Sequence, residues 1–263
     1  MLGKLSITNG TSLRVHTYTA PELGWYVNSH TIELPDKLIV IDAQYTLSFA
    51  NEVVSYASTL RKPISRLYLT HYHPDHILGA AGFHVPIYAL VEVARKIEAV
   101  GDRVAREEHE KLGDIIPTKA ERPERIVSPG DEIIDGVRFQ FIELQHAETE
   151  HALMIGLPDE KILITQDLLY DRVHVFIGEK AFDSWDEALD RTVALPFDRY
   201  LPGHGDPGGK ELFASMKSYL SVAKREHTAA SNGEAFKQSM FAAFPDFRVQ
   251  ALLAHELRFL FPS

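Results

Sequence analysis

Three histidines and one aspartate lie within six consecutive residues, directly after a short apolar run. The run at residues 67–70 is followed by His71, His73, Asp75 and His76. Imidazole nitrogens and carboxylate oxygens are donors that transition-metal ions accept in proteins. The simpler alternative is a surface loop with Asp75 as a helix cap. Capping accounts for the aspartate but not for three histidines, so the segment predicts a metal site.

The residues around this motif predict how its side chains are directed. The motif begins on a β-rich segment, and Pro74 favours extended backbone at His73. His71 and His73 are therefore expected on the same face, two residues apart, where both can bind one ion. After the proline, Asp75 is expected to begin a helix. That turn would bring Asp75 and His76 back beside the first pair, directed at a second point.

Composition restricts the classes of protein to which the chain can belong. The 263 residues, 45% of them hydrophobic, are enough for one large domain or two small ones. Lys and Arg total 27 against 37 Asp and Glu, a net charge of −10, and no basic block is present, which argues against binding nucleic acid. Cysteine is absent, so any metal has to be bound by His, Asp and Glu.

No segment of the sequence has the apolar length of a membrane span. Residues 1–6 also lack the continuous apolar region of a signal peptide. We therefore expect a cytoplasmic protein with no membrane partner.

The elements that position the motif can be predicted from hydrophobic periodicity. Residues 13–18, 25–27 and 38–41 are predicted strands separated by turn signals, which indicates an antiparallel start. A helix is predicted over residues 49–60, where apolar residues share one face, and the strand that leads into the motif comes next.

The middle of the chain predicts a second sheet. Its strands are expected at residues 137–144, 153–157 and 161–165. Before them, residues 90–122 form a charged, insertion-like segment with helical spacing. A solvated helix face is the favoured interpretation, and a wall of the substrate cleft is the alternative.

The final third of the chain is predicted to be helical. Residues 212–223 and 249–260 each carry an apolar stripe at helical spacing. The last stripe fits the protein core, a homodimer surface or a lid, and we favour the core because such stripes are usually buried.

The pattern HxHxDH after a hydrophobic strand resembles the signature of the metallo-β-lactamase superfamily of metal-dependent hydrolases. The order strand, helix, strand, motif is also similar to the start of such chains. The resemblance implies an α/β (α+β) fold, a four-layer αββα sandwich with extra C-terminal helices. It implies one domain over residues 1–263, with residues 208–263 as a helical extension packed on it.

The resemblance also implies three more ligands, each at the point where a predicted strand gives way to a loop. Taken singly, a loop histidine, a strand-end aspartate and a turn histidine are weak signals. The implied set has seven members: His71, His73 and His146 for the first ion, Asp75, His76 and His204 for the second, and Asp167 as the bridge between them.

The chain departs from the pattern of the family at several positions. Many members have glycine before the third histidine and before the bridging aspartate, where this chain has Gln145 and Gln166. These changes leave the ligands intact but alter close backbone packing. Cysteine is absent where several true β-lactamases place a zinc thiolate. A bridging Asp167 is more similar to glyoxalase II and the lactonases.

The implied chemistry is hydrolysis of a small-molecule carboxylic ester, lactone or thioester by a hydroxide that bridges two Zn²⁺ ions, with Mn²⁺ or Fe²⁺ as alternative metals. Asp75 would orient the nucleophile or pass its proton to the leaving group. Tyr170 lies where some lactonases of this fold place a phenol, so it would donate to the developing oxyanion.

Three other functions remain open within the same fold. They are phosphodiester or nucleic-acid hydrolysis, iron-dependent oxygen chemistry, and metabolite binding without catalysis. The negative charge disfavours a nuclease. His73 and His76 disfavour the redox branch, whose first motif usually loses a histidine.

The remaining histidines carry weaker signals. Six have no supporting constellation and are assigned packing or surface roles: His16, His30, His84, His109, His227 and His255. His151 and His174 lie nearer the ligands in sequence, where contact with the cleft competes with packing.

Overall fold

A seven-stranded sheet forms the first half of the computed structural model, which describes residues 1–262. Its strands are β1 (Lys4–Asn9), β2 (Arg14–Thr19), β3 (Asn28–Glu33), β4 (Leu38–Ile41), β5 (Ile64–Tyr68), β6 (Ile87–Leu90) and β7 (Arg125–Val127), in that spatial order. The first four strands are antiparallel, as predicted. From β4 to β7 the strands run parallel, so helical connections must return the chain to the same end of the sheet.

The second sheet has five strands in the order β12-β11-β10-β9-β8. They are β8 (Gly130–Ile134), β9 (Val137–Gln145), β10 (His151–Leu157), β11 (Ile162–Tyr170) and β12 (Arg199–His204). Only β11 and β12 pair in parallel. The strand predicted at residues 161–165 extends further in the structure. β11 continues to Tyr170 and so includes Asp167, the predicted bridging residue.

Seven α-helices accompany the sheets within residues 1–262. They are α1 (Leu47–Thr59), α2 (Pro74–Ile77), α3 (Val91–Leu112), α4 (Phe182–Val193), α5 (Glu211–Ala229), α6 (Gly233–Ala243) and α7 (Gln250–Leu260). None of these helices combines the length and the apolar character needed to cross a bilayer.

The two faces of the second sheet contribute to two separate cores. Ile155 and Ile164 belong to the core shared with the first sheet, α1 and α3, whereas Met154 and Leu163 belong to the core beneath α4 to α7. This alternation follows from the two-residue period of a strand. The predicted αββα layering is thereby confirmed. The separation of residues 208–263 as an extension stays a prediction.

One predicted strand is wrong. Trp25 and Tyr26 form a turn instead, because both adopt left-handed backbone with φ of 55° and 57°, and Val27 makes an isolated antiparallel bridge to His204. The Trp25 ring stacks on Tyr45 with centroids 4.9 Å apart, and the strand begins only at Asn28. This turn brings the Trp25 carbonyl beside the end of β12.

Candidate metal centre

Six of the seven predicted ligands meet where strand ends of the two sheets converge. They are His71 and His73 after β5, Asp75 and His76 in α2, Asp167 in β11 and His204 at the end of β12. β4 and β5 run parallel, as do β11 and β12, so their carboxyl ends lie at one edge of each sheet. Such edges are where α/β folds place their ligands.

The first group of donor atoms consists of His71, His73, Glu148 and Asp167, all within 4.8 Å of one another. His73 Nδ1 lies 2.8 Å from Glu148 Oε1. His71 Nε2 lies 3.8 Å from Glu148 Oε2 and 3.8 Å from Asp167 Oδ2. Two imidazoles and two carboxylates therefore surround one point.

The second group consists of Asp75, His76 and His204. His204 Nε2 lies 3.3 Å from both Asp75 Oδ2 and Asp167 Oδ2. His76 Nε2 lies 3.2 Å from Asp167 Oδ1. Asp167 thus contacts members of both groups, which is the position required of a bridging carboxylate.

His146 is the predicted ligand that the structure does not bring to the centre. It is exposed, with left-handed backbone (φ 53°), and its backbone N–H donates to the carbonyl of Glu150. Ala147 donates likewise to Thr149, so the tight loop between β9 and β10 turns Glu148 inward. Glu148 lies among the donor atoms of the first group where His146 was expected, and the role of His146 as a ligand stays a prediction. Sequence reasoning missed this carboxylate because nothing distinguishes it locally from Glu150.

Several donor atoms of this centre are buried without a hydrogen-bond partner in residues 1–262. They are His71 Nε2, His76 Nε2, Glu148 Oε2 and Asp167 Oδ1. A buried polar atom without a partner is costly, and native structures contain few. Four of them directed at one region fit a pair of divalent cations, which would satisfy all four at once. The nitrogen and oxygen donor set suits zinc, manganese or iron alike.

The carboxylates and imidazoles of the centre strongly perturb one another. Burial raises the pKa of Glu148 to about 7, against the opposing effect of His73. Burial alone would lower the pKa of His204, but the carboxylates of Asp167 and Asp75 outweigh it and raise that pKa to about 10. Without metal, the imidazole therefore holds a proton between these carboxylates. A cation has to displace that proton, which makes metal binding weaker at low pH.

Asp42, at the end of β4, orients one of the ligands. Its carboxylate is fully buried and accepts hydrogen bonds from the Thr70 N–H (2.8 Å), the Thr70 hydroxyl (2.7 Å), His76 Nδ1–H (2.7 Å) and the Gln166 amide. Because Nδ1 of His76 donates to Asp42, its Nε2 is left to face the centre. A second hydrogen bond of this kind is how proteins orient histidine ligands.

Two other imidazoles of the centre, those of His71 and His204, are held in a similar way. His204 Nδ1 donates to the carbonyl of Trp25 at 2.8 Å, and His71 Nδ1 lies 3.0 Å from the Thr70 hydroxyl oxygen. Asn28 donates to the carbonyls of Pro202 and Gly205 and so fixes the end of β12.

Tyr170 lies beside the centre, at the end of β11. Its hydroxyl donates to Asp167 Oδ2 at 2.6 Å, and its ring lies parallel to that of His204 with centroids 4.7 Å apart. Burial, followed by the charge of Asp167, raises the pKa of the phenol well above its ordinary value. Tyr170 therefore keeps its proton and can act only as a donor or through its ring.

A cleft of about 540 Å³ opens onto this centre. Arg103 and Val104 of α3 line one part of it, and Leu252 and Phe259 of α7 line another. The segment at residues 90–122 thus supplies a cleft wall, which was the alternative interpretation. α7 has two roles, since Leu253 and its neighbours belong to the core while another face borders the cleft.

Among the histidines outside the motif, His255 departs from its predicted role. His255 lines the cleft, although no constellation in the sequence indicated it. His174 is buried away from the cleft, 3.1 Å from the Tyr219 hydroxyl. His151 pairs with Glu143 at 2.8 Å and borders a smaller neighbouring cavity.

Comparison with known proteins assigns a family to this arrangement. Residues 23–204 match the family model described as Metallo-beta-lactamase superfamily. The chain is 26% identical over 221 residues to the Linear primary-alkylsulfatase of Pseudomonas sp. (strain ATCC 19151), covering 68% of this chain and 42% of that protein. It is 32% identical over 93 residues to the Metallo-beta-lactamase type 2 of Bacteroides fragilis, covering 34% of this chain and 37% of that protein. The chain spans about two fifths of the length of these curated relatives.

Solved structures show the same architecture. A metallo-beta-lactamase from Pontibacter korlensis superposes with a TM-score of 0.66 at 20% identity, covering 83% of this chain and 99% of that one. The metallo-beta-lactamase from Hirschia baltica gives 0.62 at 17% identity, covering 84% and 98%. At these identities the likeness shows the fold alone.

Proposed function

Because the chain belongs to the metallo-β-lactamase superfamily, which is hydrolytic and metal-dependent, we propose that it is a dinuclear zinc hydrolase of carboxylic esters, lactones or thioesters. The observation that carries the proposal is the convergence of two donor groups that share Asp167, with four buried donor atoms left unsatisfied. We place the chain in the glyoxalase II and lactonase-like branch. The bridging aspartate, the absence of cysteine and the phenol of Tyr170 support that placement.

In the proposed site, His71, His73 and Glu148 would hold one ion, Asp75, His76 and His204 the other, and Asp167 both. Two such ions supply Lewis acidity toward the scissile carbonyl and lower the pKa of an attacking water. The chain has no cysteine, so all the proposed donors are nitrogen and oxygen atoms, which are harder ligands than a thiolate sulfur.

Two side chains that border the cleft, Asp75 and Tyr170, have separate roles in the proposed reaction. Asp75 lines the cleft and is held by His204, so its carboxylate can orient the attacking water and carry a proton to the leaving group. Tyr170 keeps its proton and faces the same space. Its one hydroxyl proton is accepted by Asp167 in this structure, and ions held by Asp167 would free it to turn to the oxygen on which negative charge develops.

Replacing Tyr170 by phenylalanine tests this assignment. The ring and its stacking on His204 are retained, while the donor is lost. We expect kcat to fall by about tenfold or more with metal content per chain unchanged, since removal of one oxyanion donor typically costs more than that. Steady-state kinetics and metal analysis of the same preparation measure both quantities. An unchanged kcat would remove Tyr170 from the mechanism.

A second candidate reaction is hydrolysis of alkyl sulfate esters. It is favoured by the similarity to a protein named Linear primary-alkylsulfatase and by the apolar side chains in the cleft wall. A sulfate ester presents a tetrahedral sulfur instead of a planar carbonyl, so the two reactions can be separated by substrate.

Metal analysis combined with a substrate screen tests the proposal. The purified protein is assayed for metal per chain and then, in the metal-loaded form, against lactone, thioester, aryl ester, alkyl sulfate, β-lactam and phosphodiester probes. Two equivalents of zinc with acyl hydrolysis are expected. Turnover of alkyl sulfate alone would favour the second candidate. Full metal loading without turnover on any probe would overturn a catalytic role and favour metabolite binding.

A further inference from the structure

An aromatic path leads from the metal centre to α7. The Phe176 ring meets the ring of His73 edge-on, with centroids 5.0 Å apart, and meets Phe259 with centroids 5.9 Å apart. The guanidinium of Arg258 lies over the Phe259 ring, 4.6 Å from its centroid. All four residues line the cleft. The guanidinium of Arg258 therefore lies at one end of an apolar path, and the imidazole of His73 lies at the other end.

The acidic side chains of the opposite wall are neutralised by neighbours on α3. Glu107 pairs with Arg103 at 2.6 Å, and Glu108 pairs with Lys111 at 2.6 Å while also accepting from the Tyr45 hydroxyl. Both carboxylates thus have cationic partners of their own on α3, and neither pairs with Arg258.

Arg258 itself has no carboxylate within 4.0 Å among residues 1–262. Its guanidinium donates to His255 Nε2 at 2.8 Å. Burial, and next the positive charge of Arg258, lowers the pKa of His255, so the imidazole stays neutral and can accept this bond. The guanidinium is thus oriented by a neutral partner, and its charge is available to a ligand.

We propose that the substrate carries a terminal carboxylate, separated from the scissile acyl bond by an apolar stem, and that Arg258 binds this carboxylate. The stem lies along Phe176 and Phe259, and the acyl group reaches the metal centre. Arginine is suited to the task because its planar fork binds a carboxylate through two hydrogen bonds. This inference rests on the proposed acyl hydrolysis and specifies its substrate class.

Two aryl esters of equal chain length test the proposal: the mono-aryl ester of adipic acid, which ends in a carboxylate, and the aryl ester of hexanoic acid, which does not. The wild-type protein is expected to have the higher kcat/KM for the adipate ester. Arg258→Met should raise KM for that ester by about tenfold to hundredfold, since a charged hydrogen bond is lost, and leave the hexanoate ester unchanged. Arg258→Lys should retain part of the preference. Arg225→Met, at an exposed arginine of α5 outside the cleft, is the matched control.

The possible results separate the inference from the function on which it rests. Equal effects of Arg258→Met on both esters, or a wild-type protein without preference, would overturn the role of Arg258 while acyl hydrolysis stands. If neither ester is hydrolysed, the proposed function fails, and calorimetric binding of adipate and hexanoate to the metal-loaded protein still tests Arg258. Tighter binding of adipate that is lost in Arg258→Met supports the inference, and equal binding of the two acids overturns it.

Discussion

Replacing Glu148 by alanine is expected to remove one of two metal ions per chain and to lower turnover at least about a hundredfold. Side chains that merely orient a ligand typically cost 10–100-fold when lost, and Glu148 is placed among the donor atoms themselves. Its Oε1 lies 2.8 Å from His73 Nδ1, and its Oε2 is buried without a partner in residues 1–262. Metal analysis of the purified variant and its kcat measure the two effects.

His146→Ala is the informative counterpart of this variant. His146 is exposed, so we expect its replacement to leave metal content and turnover unchanged. Glu150→Ala is the control for Glu148→Ala. It removes an exposed carboxylate of the same loop that lies outside the metal centre. Loss of metal in His146→Ala but not in Glu148→Ala would show that the loop rearranges when metal binds and that the histidine is the ligand after all.

The second large effect is expected from Asp42→Asn. Asparagine offers one acceptor oxygen where the carboxylate offers two. If that oxygen takes the three donors now on Oδ2, the NH₂ group faces the Thr70 N–H, and the charge opposite His76 is lost. Breaking such a buried network should lower the free energy of unfolding of the metal-free protein by about 3 kcal/mol. Metal affinity should also fall about 10–100-fold, because His76 loses the carboxylate that orients it and raises its basicity.

Denaturant unfolding of the metal-free protein and competition for metal with a chelator measure these two quantities. Asp36→Asn is the matched control, since Asp36 is exposed in the turn between β3 and β4. If Asp42→Asn and Asp36→Asn behave alike in both measurements, Asp42 does not orient the site.

The backbone behind the centre is strained at three polar residues. Asp42, Gln44 and Gln166 adopt left-handed conformations, with φ of 61°, 75° and 45°. Such conformations are uncommon for residues other than glycine and persist where the surroundings over-determine them. Gln166 stands where many superfamily members have glycine, and its amide donates to Asp42. The side-chain hydrogen bond thus compensates for a backbone conformation that glycine would adopt without strain.

Local sequence was sufficient to predict the chemistry of the first motif. Pro74 directs His73 into extended backbone (φ −65°, ψ 147°) and begins α2, so Asp75 and His76 return toward His71 as expected. Periodicity likewise located strands of both sheets, such as β2, β4, β9 and β10, because alternation along a strand depends on neighbouring residues alone, but it gave no signal for β1, β7 or β12.

The inward carboxylate of the first donor group and the cleft were decided by tertiary structure. Glu148 turns inward, and His146 outward, because two backbone hydrogen bonds close the loop between β9 and β10. That closure depends on how the flanking strands pair, which no local pattern encodes. Arg258 and Arg103 are far apart in sequence, yet they border one cleft because α3 and α7 pack on either side of the converging strand ends. The sequence by itself therefore determined most residues of a candidate metal site and the layered fold that builds it. Only tertiary structure decided which carboxylate completes the site and what surrounds the substrate, since contacts between distant segments have no signature in local residue spacing.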